Sequence, residues 1–272
     1  MCLDCACGRP DQGPERLKPP HRHPATATEQ PAPIAPVAVK PSAPAGPAVA
    51  TGPLQSLSVG LRLLAHNDRQ AEANRARFAA AGVKVVNILS APGSGKTALL
   101  EALARHAAAA AQPLAMAVLV GDLATELDAE RLRAAGLPAI PITTGQACHL
   151  EAAMVARGVD ALEAAGHGLA GLDLLLIENV GNLVCPAAYD LGEDLRLVLL
   201  AVSEGEDKPL KYPATFHGAD AVVISKSDLA EAVDFAREQA LANIQAVAPA
   251  ARVLEVSARS GAGIEGLLQL LR

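Results

Sequence analysis

The run Ser90-Ala91-Pro92-Gly93-Ser94-Gly95-Lys96-Thr97 has the residue types and order that hold the phosphates of a nucleotide. Gly93 and Gly95 let backbone N–H groups turn towards phosphate oxygens, where a side chain would block approach. Lys96 reaches the terminal phosphates, the Thr97 hydroxyl can ligate Mg²⁺, and Ala98 continues the nucleotide-contacting run. The usual first glycine is Ser90 here, which weakens the bare pattern; an apolar strand before it and a helix after it restore the context.

Three further segments follow strand-like runs, where P-loop proteins place their other parts. Glu178-Asn179-Val180-Gly181 closes the most apolar run. An acid there reaches the Mg²⁺ shell or orients water, and Gly181 can meet the γ-phosphate. Asp122, after Gly121, reads either as a metal-side switch residue acting with Lys96 and Glu178 or as a helix N-cap. In Ser225-Lys226-Ser227-Asp228, the Asp228 carboxylate can accept hydrogen bonds from N1–H and the 2-amino group of guanine, donors that adenine lacks, and the Lys226 stem can cover the base. Ser225 stands where Asn is usual. Ser257-Ala258-Arg259 lies where a backbone N–H meets guanine O6. Together these select GTP over ATP.

The five cysteines form two groups. Cys2, Cys5 and Cys7 are spaced closely enough to wrap one borderline cation, and loss of Met1 would add the Cys2 amine, a donor set for Ni²⁺ or Zn²⁺. Cys148-His149 and Cys185 form the second group. Residue types alone leave it open: a metal trio next to the Glu178–Gly181 switch, or buried small residues and a surface histidine.

These residues need a scaffold. Half the chain is hydrophobic, 51%, but aromatics supply only 2%, so the core must be Ala, Leu, Val and Ile with helices packed closely on a sheet. A formal charge of −6 excludes a basic face for nucleic acid. No apolar run is long enough for a membrane span, and the first residues are no secretory signal, so the cytoplasm is expected. Residues 1–7 form a cysteine motif, 8–53 a Pro- and Ala-rich disordered tether containing His21 and His23, and 54–272 the folded domain. Helices are expected at Leu57–Ala80, Thr97–Ala111, Asp128–Ala135, Leu229–Val247 and Ile264–Leu271. Strands are expected at Lys84–Leu89, Leu114–Val120, Leu172–Ile177, Leu195–Val202, Ala221–Ile224 and Val253–Val256. The alternation predicts an α/β P-loop NTPase fold, a mostly parallel sheet with helices on both faces.

With those residues in place, the chain resembles the hydrogenase nickel-incorporation GTPases of the HypB family. The resemblance rests on Cys2-Leu3-Asp4-Cys5-Ala6-Cys7, the phosphate loop, and Gly121-Asp122 through Thr125, Asp128-Ala129 and Arg131. It extends over Thr144-Gly145-Gln146-Ala147-Cys148-His149-Leu150-Glu151-Ala152 and Ile177-Glu178-Asn179-Val180-Gly181-Asn182-Leu183-Val184-Cys185-Pro186. The run Ser203-Glu204-Gly205-Glu206-Asp207-Lys208-Pro209-Leu210-Lys211-Tyr212-Pro213 completes it. The resemblance implies a dimerising SIMIBI-type GTPase in which GTP and Mg²⁺ promote a homodimer. It implies that Cys148, His149 and Cys185 bind Ni²⁺ or Zn²⁺ near the dimer interface, and that Cys2, Cys5 and Cys7 form a separate nickel site. Implied partners are the metallochaperone HypA and the large subunit of [NiFe]-hydrogenase. The alternatives are a urease-type nickel-insertion GTPase, or a nickel carrier or store with vestigial nucleotide binding. Ala6 replaces a common Gly, and His21 and His23 are too few for a histidine store.

Overall fold

A computed structural model describes residues 53–145 and 147–272, with side chains from residue 62 onward. Cys2, Cys5, Cys7, His21 and His23 lie outside the described residues, as does the expected tether apart from Pro53.

The chain alternates α1 (Pro53–Ala81), β1 (Lys84–Ser90), α2 (Lys96–Ala109), β2 (Met116–Asp122), α3 (Leu127–Ala134), β3 (Ala139–Thr143), α4 (Ala152–Ala164) and β4 (Leu174–Glu178). It continues through β5 (Leu195–Ala201), α5 (Lys208–Lys211), α6 (Pro213–His217), β6 (Ala221–Ser225), α7 (Arg237–Val247), β7 (Arg252–Glu255) and α8 (Ile264–Leu271). The strands form one seven-stranded sheet in the order β3-β2-β4-β1-β5-β6-β7, and every pairing is parallel. The chain leaves β1 for β2, skipping the place β4 later fills, and returns to β5 on the other side of β1. The carboxyl ends of all strands therefore face one edge, and a crevice opens there where the chain changes direction.

The strand residues alternate between two cores, as the two-residue period of a strand requires. Val86, Ile88, Val118, Val120, Leu176 and Leu199 face α2, α3 and α8. On the other face Val85, Leu119, Leu175 and Ile177 meet Phe78 of α1 and Val155 and Val159 of α4. Farther along that face Val198, Leu200, Val222 and Ile224 meet Phe216 of α6 and Ile244 of α7. All five residues of β4 are buried, which accounts for its unbroken apolar run.

The expected helix over Leu229–Val247 is shorter in the structure. Single 3₁₀ turns occupy Ser227–Leu229 and Glu231–Val233, and α7 starts at Arg237. Asp234 has φ 50, a left-handed conformation that ends the first stretch. The Phe235 N–H then bonds back to the Ala230 carbonyl at 2.9 Å. Two further elements, β3 and α4, carried weak sequence signals. β3 has five residues including Pro141, tolerated because the strand is at the sheet edge. α4 has Gly158 in its middle, where a side chain would run into Ile142 at 2.8 Å. Among the described residues no helix is long and apolar enough to cross a membrane.

Because β4 lies between β2 and β1, truncating its fully buried Leu176 should cost about 2–5 kcal/mol of stability. Urea unfolding of the nucleotide-free Leu176→Ala protein measures this; a loss under about 1 kcal/mol would contradict that central placement.

Candidate nucleotide and metal site

The phosphate loop joins the end of β1 to the start of α2. Gly93 and Gly95 have φ of 76° and 94°, values that an L side chain rarely adopts. They turn the loop around the first turn of α2, whose unpaired N–H groups favour an anion. Lys96 donates to the Ser90 hydroxyl at 3.0 Å, so the serine that replaces the usual first glycine supplies a buried partner for the lysine. Burial pushes the Lys96 pKa down, against the opposing pull of the Glu178 charge.

Register sets the next group in place. β1 and β4 pair Ile88 with Glu178, and β2 and β4 pair Val120 with Glu178. The Glu178 carboxylate thus comes to lie under the loop, where it accepts a hydrogen bond from the Thr97 hydroxyl at 2.8 Å. Glu178 is 3% exposed, and its other oxygen is buried with no partner. Burial raises its pKa to about 7, against the Lys96 charge and the Thr97 bond. A hydroxyl has one proton and two lone pairs. Thr97 can therefore donate to Glu178 and still offer a lone pair to a cation such as Mg²⁺.

Asp122 ends β2 on the other side of the loop. Its Oδ1 accepts the N–H groups of Ala124 at 2.9 Å and Thr125 at 2.8 Å. Burial alone would raise its pKa, but those N–H bonds and the Thr125 hydroxyl outweigh it and keep the carboxyl ionised. The bonds cap the turn after β2; the N-cap of α3 is Glu126. Asp122, Glu178, Lys96, Thr97 and Gly181 line one pocket of about 430 Å³. Gly181 stands against the loop so closely that a side chain on it would meet the Pro92 Cα at 3.0 Å.

An adjoining pocket of about 370 Å³ is lined by Ala98, Leu99, Lys226, Asp228, Ala258 and Arg259. Ser225, at the end of β6, donates to the Ser94 carbonyl at 2.7 Å. This bond fastens the base segment to the phosphate loop with a serine in the place of an asparagine. Lys226, held at φ 57, donates to the Gly93 carbonyl at 2.7 Å, and its stem passes 3.7 Å from where a Gly95 side chain would begin. Ser257 is fully buried and donates its hydroxyl to Asp228 Oδ1 at 2.6 Å. Ser257 thereby fixes the Asp228 carboxylate, while Ala258 lines the pocket itself.

Glu204, one turn beyond β5, also reaches the loop and was not singled out from sequence as a site residue. Its Oε1 is bonded to the Ser94 hydroxyl, which also contacts the Ala91 carbonyl at 2.8 Å. One hydroxyl proton cannot serve both acceptors. The Ser94 hydroxyl thus bonds one of them at a time, and burial moves the Glu204 pKa upward, against the Ser94 bond and the charges of Lys208, Lys226 and Lys96. Its one sequence signal was its place in the acidic run Ser203–Asp207 directly after an apolar strand.

Beside this nucleotide pocket the fold joins Cys148, His149 and Cys185. They come from the loop after β3 and the 3₁₀ turn Cys185–Ala188 after β4. One ligand atom from each lies within 4.8 Å of the other two. Donors on one tetrahedral ion sit about 3.3–3.8 Å apart, so a small contraction would close the set. Both cysteines are free thiols. The Cys185 thiol, then burial, push the Cys148 pKa up, an effect that a bound cation reverses. The His149 ring stacks on Tyr189 at 3.8 Å between centroids. Its Nε2 is buried with no hydrogen-bond partner among the described residues and lies 3.9 Å from the Glu151 carboxylate; burial lowers its pKa, against the Glu151 charge, which favours the neutral form that ligates. Two thiols and a neutral imidazole with an unpaired ring nitrogen fit a borderline cation such as Ni²⁺ or Zn²⁺.

The two pockets share a wall. Asn179, next to Glu178 and 1% exposed, accepts the N–H of Leu150 at 3.1 Å and of Val180 at 2.9 Å. Leu150 directly follows His149. Asn182 donates to the Cys148 carbonyl at 3.3 Å and pairs with Ser90 at the root of the phosphate loop. Asn179 and Asn182 lay inside a segment singled out from sequence, but their bonds to the Cys148 loop are long-range and had no local signal.

The chain is similar to several known proteins. The family model described as "CobW/HypB/UreG, nucleotide-binding domain" matches residues 84–255. A hydrogenase maturation factor HypB from Azotobacter chroococcum is 50% identical over 229 residues, covering 80% of this chain and 70% of that protein. A hydrogenase/urease maturation factor HypB from Helicobacter pylori is 43% identical over 210 residues, with 77% and 84% covered. The crystal structure of HypB from Helicobacter pylori in complex with nickel superposes with a TM-score of 0.71 at 44% identity, covering 76% of this chain and 93% of that one.

The base pocket makes a direct test. Asp228→Asn should weaken GTP binding by about tenfold or more and improve binding of xanthosine triphosphate, whose base offers an acceptor where guanine has its 2-amino donor. Nucleotide competition on the purified protein reads this, and an unchanged preference for GTP would remove Asp228 from base recognition.

Proposed function

The chain belongs to the HypB hydrogenase maturation factors of the CobW/HypB/UreG nucleotide-binding family, and from that premise we propose that its GTP state governs custody of a nickel ion at Cys148, His149 and Cys185. The chain is a GTPase of hydrogenase nickel maturation. What supports the finer reading is the shared wall: Glu178 bonds to Thr97 at 2.8 Å while its neighbour Asn179 bonds to Leu150 at 3.1 Å.

On this reading GTP is the ligand of the two adjoining pockets. Gly93, Ser94, Gly95, Lys96, Thr97 and Ala98 hold its phosphates, and Lys226, Asp228, Ser257 and Ala258 hold or frame its base. Thr97 and Asp122 would hold Mg²⁺, which would supply charge neutralisation for phosphoryl transfer. Lys96, Asp122 and Glu178 carry the chemistry, and Gly181 senses the terminal phosphate by backbone contact beside Pro92. Hydrolysis then works as a timer. Ni²⁺ is cargo, with Zn²⁺ as competitor for the same donors. Cys2, Cys5 and Cys7 supply a second nickel site, a homodimer forms with GTP, and the protein works in the cytoplasm with HypA and the hydrogenase large subunit.

A urease role is a second reading, favoured by one observation: the Helicobacter pylori relative is named for both hydrogenase and urease. Nickel content of each enzyme in cells lacking this chain separates the two.

Coupling between two sites is reciprocal. Ni²⁺ or Zn²⁺ should change GTP turnover or nucleotide-dependent dimerisation by about fivefold or more, and Cys148→Ala should abolish that change. GTPase assays and sedimentation with and without metal measure it; indifference to both metal and Cys148→Ala would sink the coupling.

A further inference from the structure

The structure assigns to Asn67 and Asn74 of α1 the task of setting the distance between the two arms that carry the metal donors. We rest this on the reading of Cys148, His149 and Cys185 as a metal site, and it concerns how that site is held open to the right width.

The first arm runs from Cys148 and His149 into the start of α4 at Ala152. The second runs from Cys185 through its 3₁₀ turn to Asp190 and Leu191. The two arms come from different crossovers of the sheet, and the pairing of strands does not fix the distance between them. Asn179 and Asn182 tie them at their near ends, and α1 ties them at their far ends. The Asn67 oxygen accepts the Ala152 N–H of the first arm at 2.9 Å, and its nitrogen donates to the Asp190 carbonyl of the second at 2.8 Å. Two turns later the Asn74 nitrogen donates to the Ala152 carbonyl at 2.8 Å and to the Leu191 carbonyl at 3.0 Å. Each carboxamide is thus a rigid strut with one arm on either side.

The struts have no alternative partners in water. Asn67 is 5% exposed, Asn74 2%, and Ala71 between them is fully buried. Seven residues apart, both asparagines lie on one face of the helix. The second arm presses directly on that face: at Gly192 a side chain would begin 2.6 Å from the Ala71 carbonyl. Arg75 adds a fork to the Asp190 carboxylate, at 2.9 and 2.7 Å. A carboxamide carries a donor and an acceptor on one planar group, so no apolar residue of similar size could fasten both arms. Groups that position metal ligands, without touching the ion, typically change affinity by about 10–100-fold when removed.

The test uses the full chain carrying Cys2→Ser, Cys5→Ser and Cys7→Ser, so that nickel reports on the second site alone. Ni²⁺ is titrated against a competing chelator, the thiolate-to-nickel absorption band is recorded, and thermal unfolding is followed in parallel. Asn67→Ala and Asn74→Ala should each bind Ni²⁺ about tenfold or more weakly and change the band, at temperatures where both are folded. Arg75→Ala, at an exposed position, should fold normally and weaken binding by a smaller factor, and it serves if either asparagine variant does not fold. Lower melting temperatures with unchanged affinity and band would overturn the positioning role, because a merely structural contact moves only the first. If the parent itself bound no nickel, or if Cys148→Ala bound it as well as the parent, the metal reading would fall instead.

Discussion

The hydrogen bond from the Leu150 N–H to the Asn179 carboxamide, 3.1 Å long and fully buried, is the contact on which the relation between the two pockets depends. Breaking such a bond without replacement leaves the buried Leu150 donor unpaired, at about 1–3 kcal/mol, while the Asn179 oxygen keeps the Val180 N–H. The segment after β4 therefore cannot drift away from the loop that carries Cys148 and His149. The same segment is also tied to the phosphate loop by the bridge between Asn182 and Ser90, and Gly181 packs closely on Pro92. Two chemistries that could have sat on independent loops are held by one short, inextensible stretch of backbone.

That stretch is positioned by the sheet. β4 is inserted between β2 and β1, although β2 and β3 precede it in the chain. The insertion brings Glu178 beside the ends of both neighbours. It also covers that strand end on both sides, and burial is what lifts the Glu178 pKa to about 7. The phosphate loop is set by short polar links at its two unusual positions. Ser90 takes the Lys96 ammonium, and Ser225 ties the base segment to Ser94. A loop already bonded in this way has little ordering left to do when a nucleotide arrives.

The sequence made local chemistry legible and left long-range geometry unread. The phosphate loop and Lys226–Asp228 could be read as candidates because the chain writes them contiguously and each sits where a strand ends. Cys148-His149 and Cys185 were visible as types, yet only the fold brings their donor atoms within 4.8 Å. Asn67 and Asn74 looked like ordinary polar residues, and Glu204 stood out only within its run, since their partners lie far along the chain. β3 escaped because Pro141 demotes any strand reading, and only an edge position excuses it. The start of α7 was misplaced because apolar spacing runs through Asp234, and a left-handed residue there has no signature in periodicity.

The metal trio sits between two sets of restraints. At its far ends the α1 carboxamides hold Ala152, Asp190 and Leu191. At its near ends Asn179 holds Leu150 and Asn182 holds the Cys148 carbonyl. An ion that draws the three donors together must stretch one set. The α1 struts are doubled and backed by the close fit at Gly192. The near set is single at each point, and the Asn182 bond is long at 3.3 Å. The softer side is the one joined to Glu178 and Gly181. On the proposed reading, contraction of the metal site is passed towards the phosphates because the opposite side is the stiffer of the two.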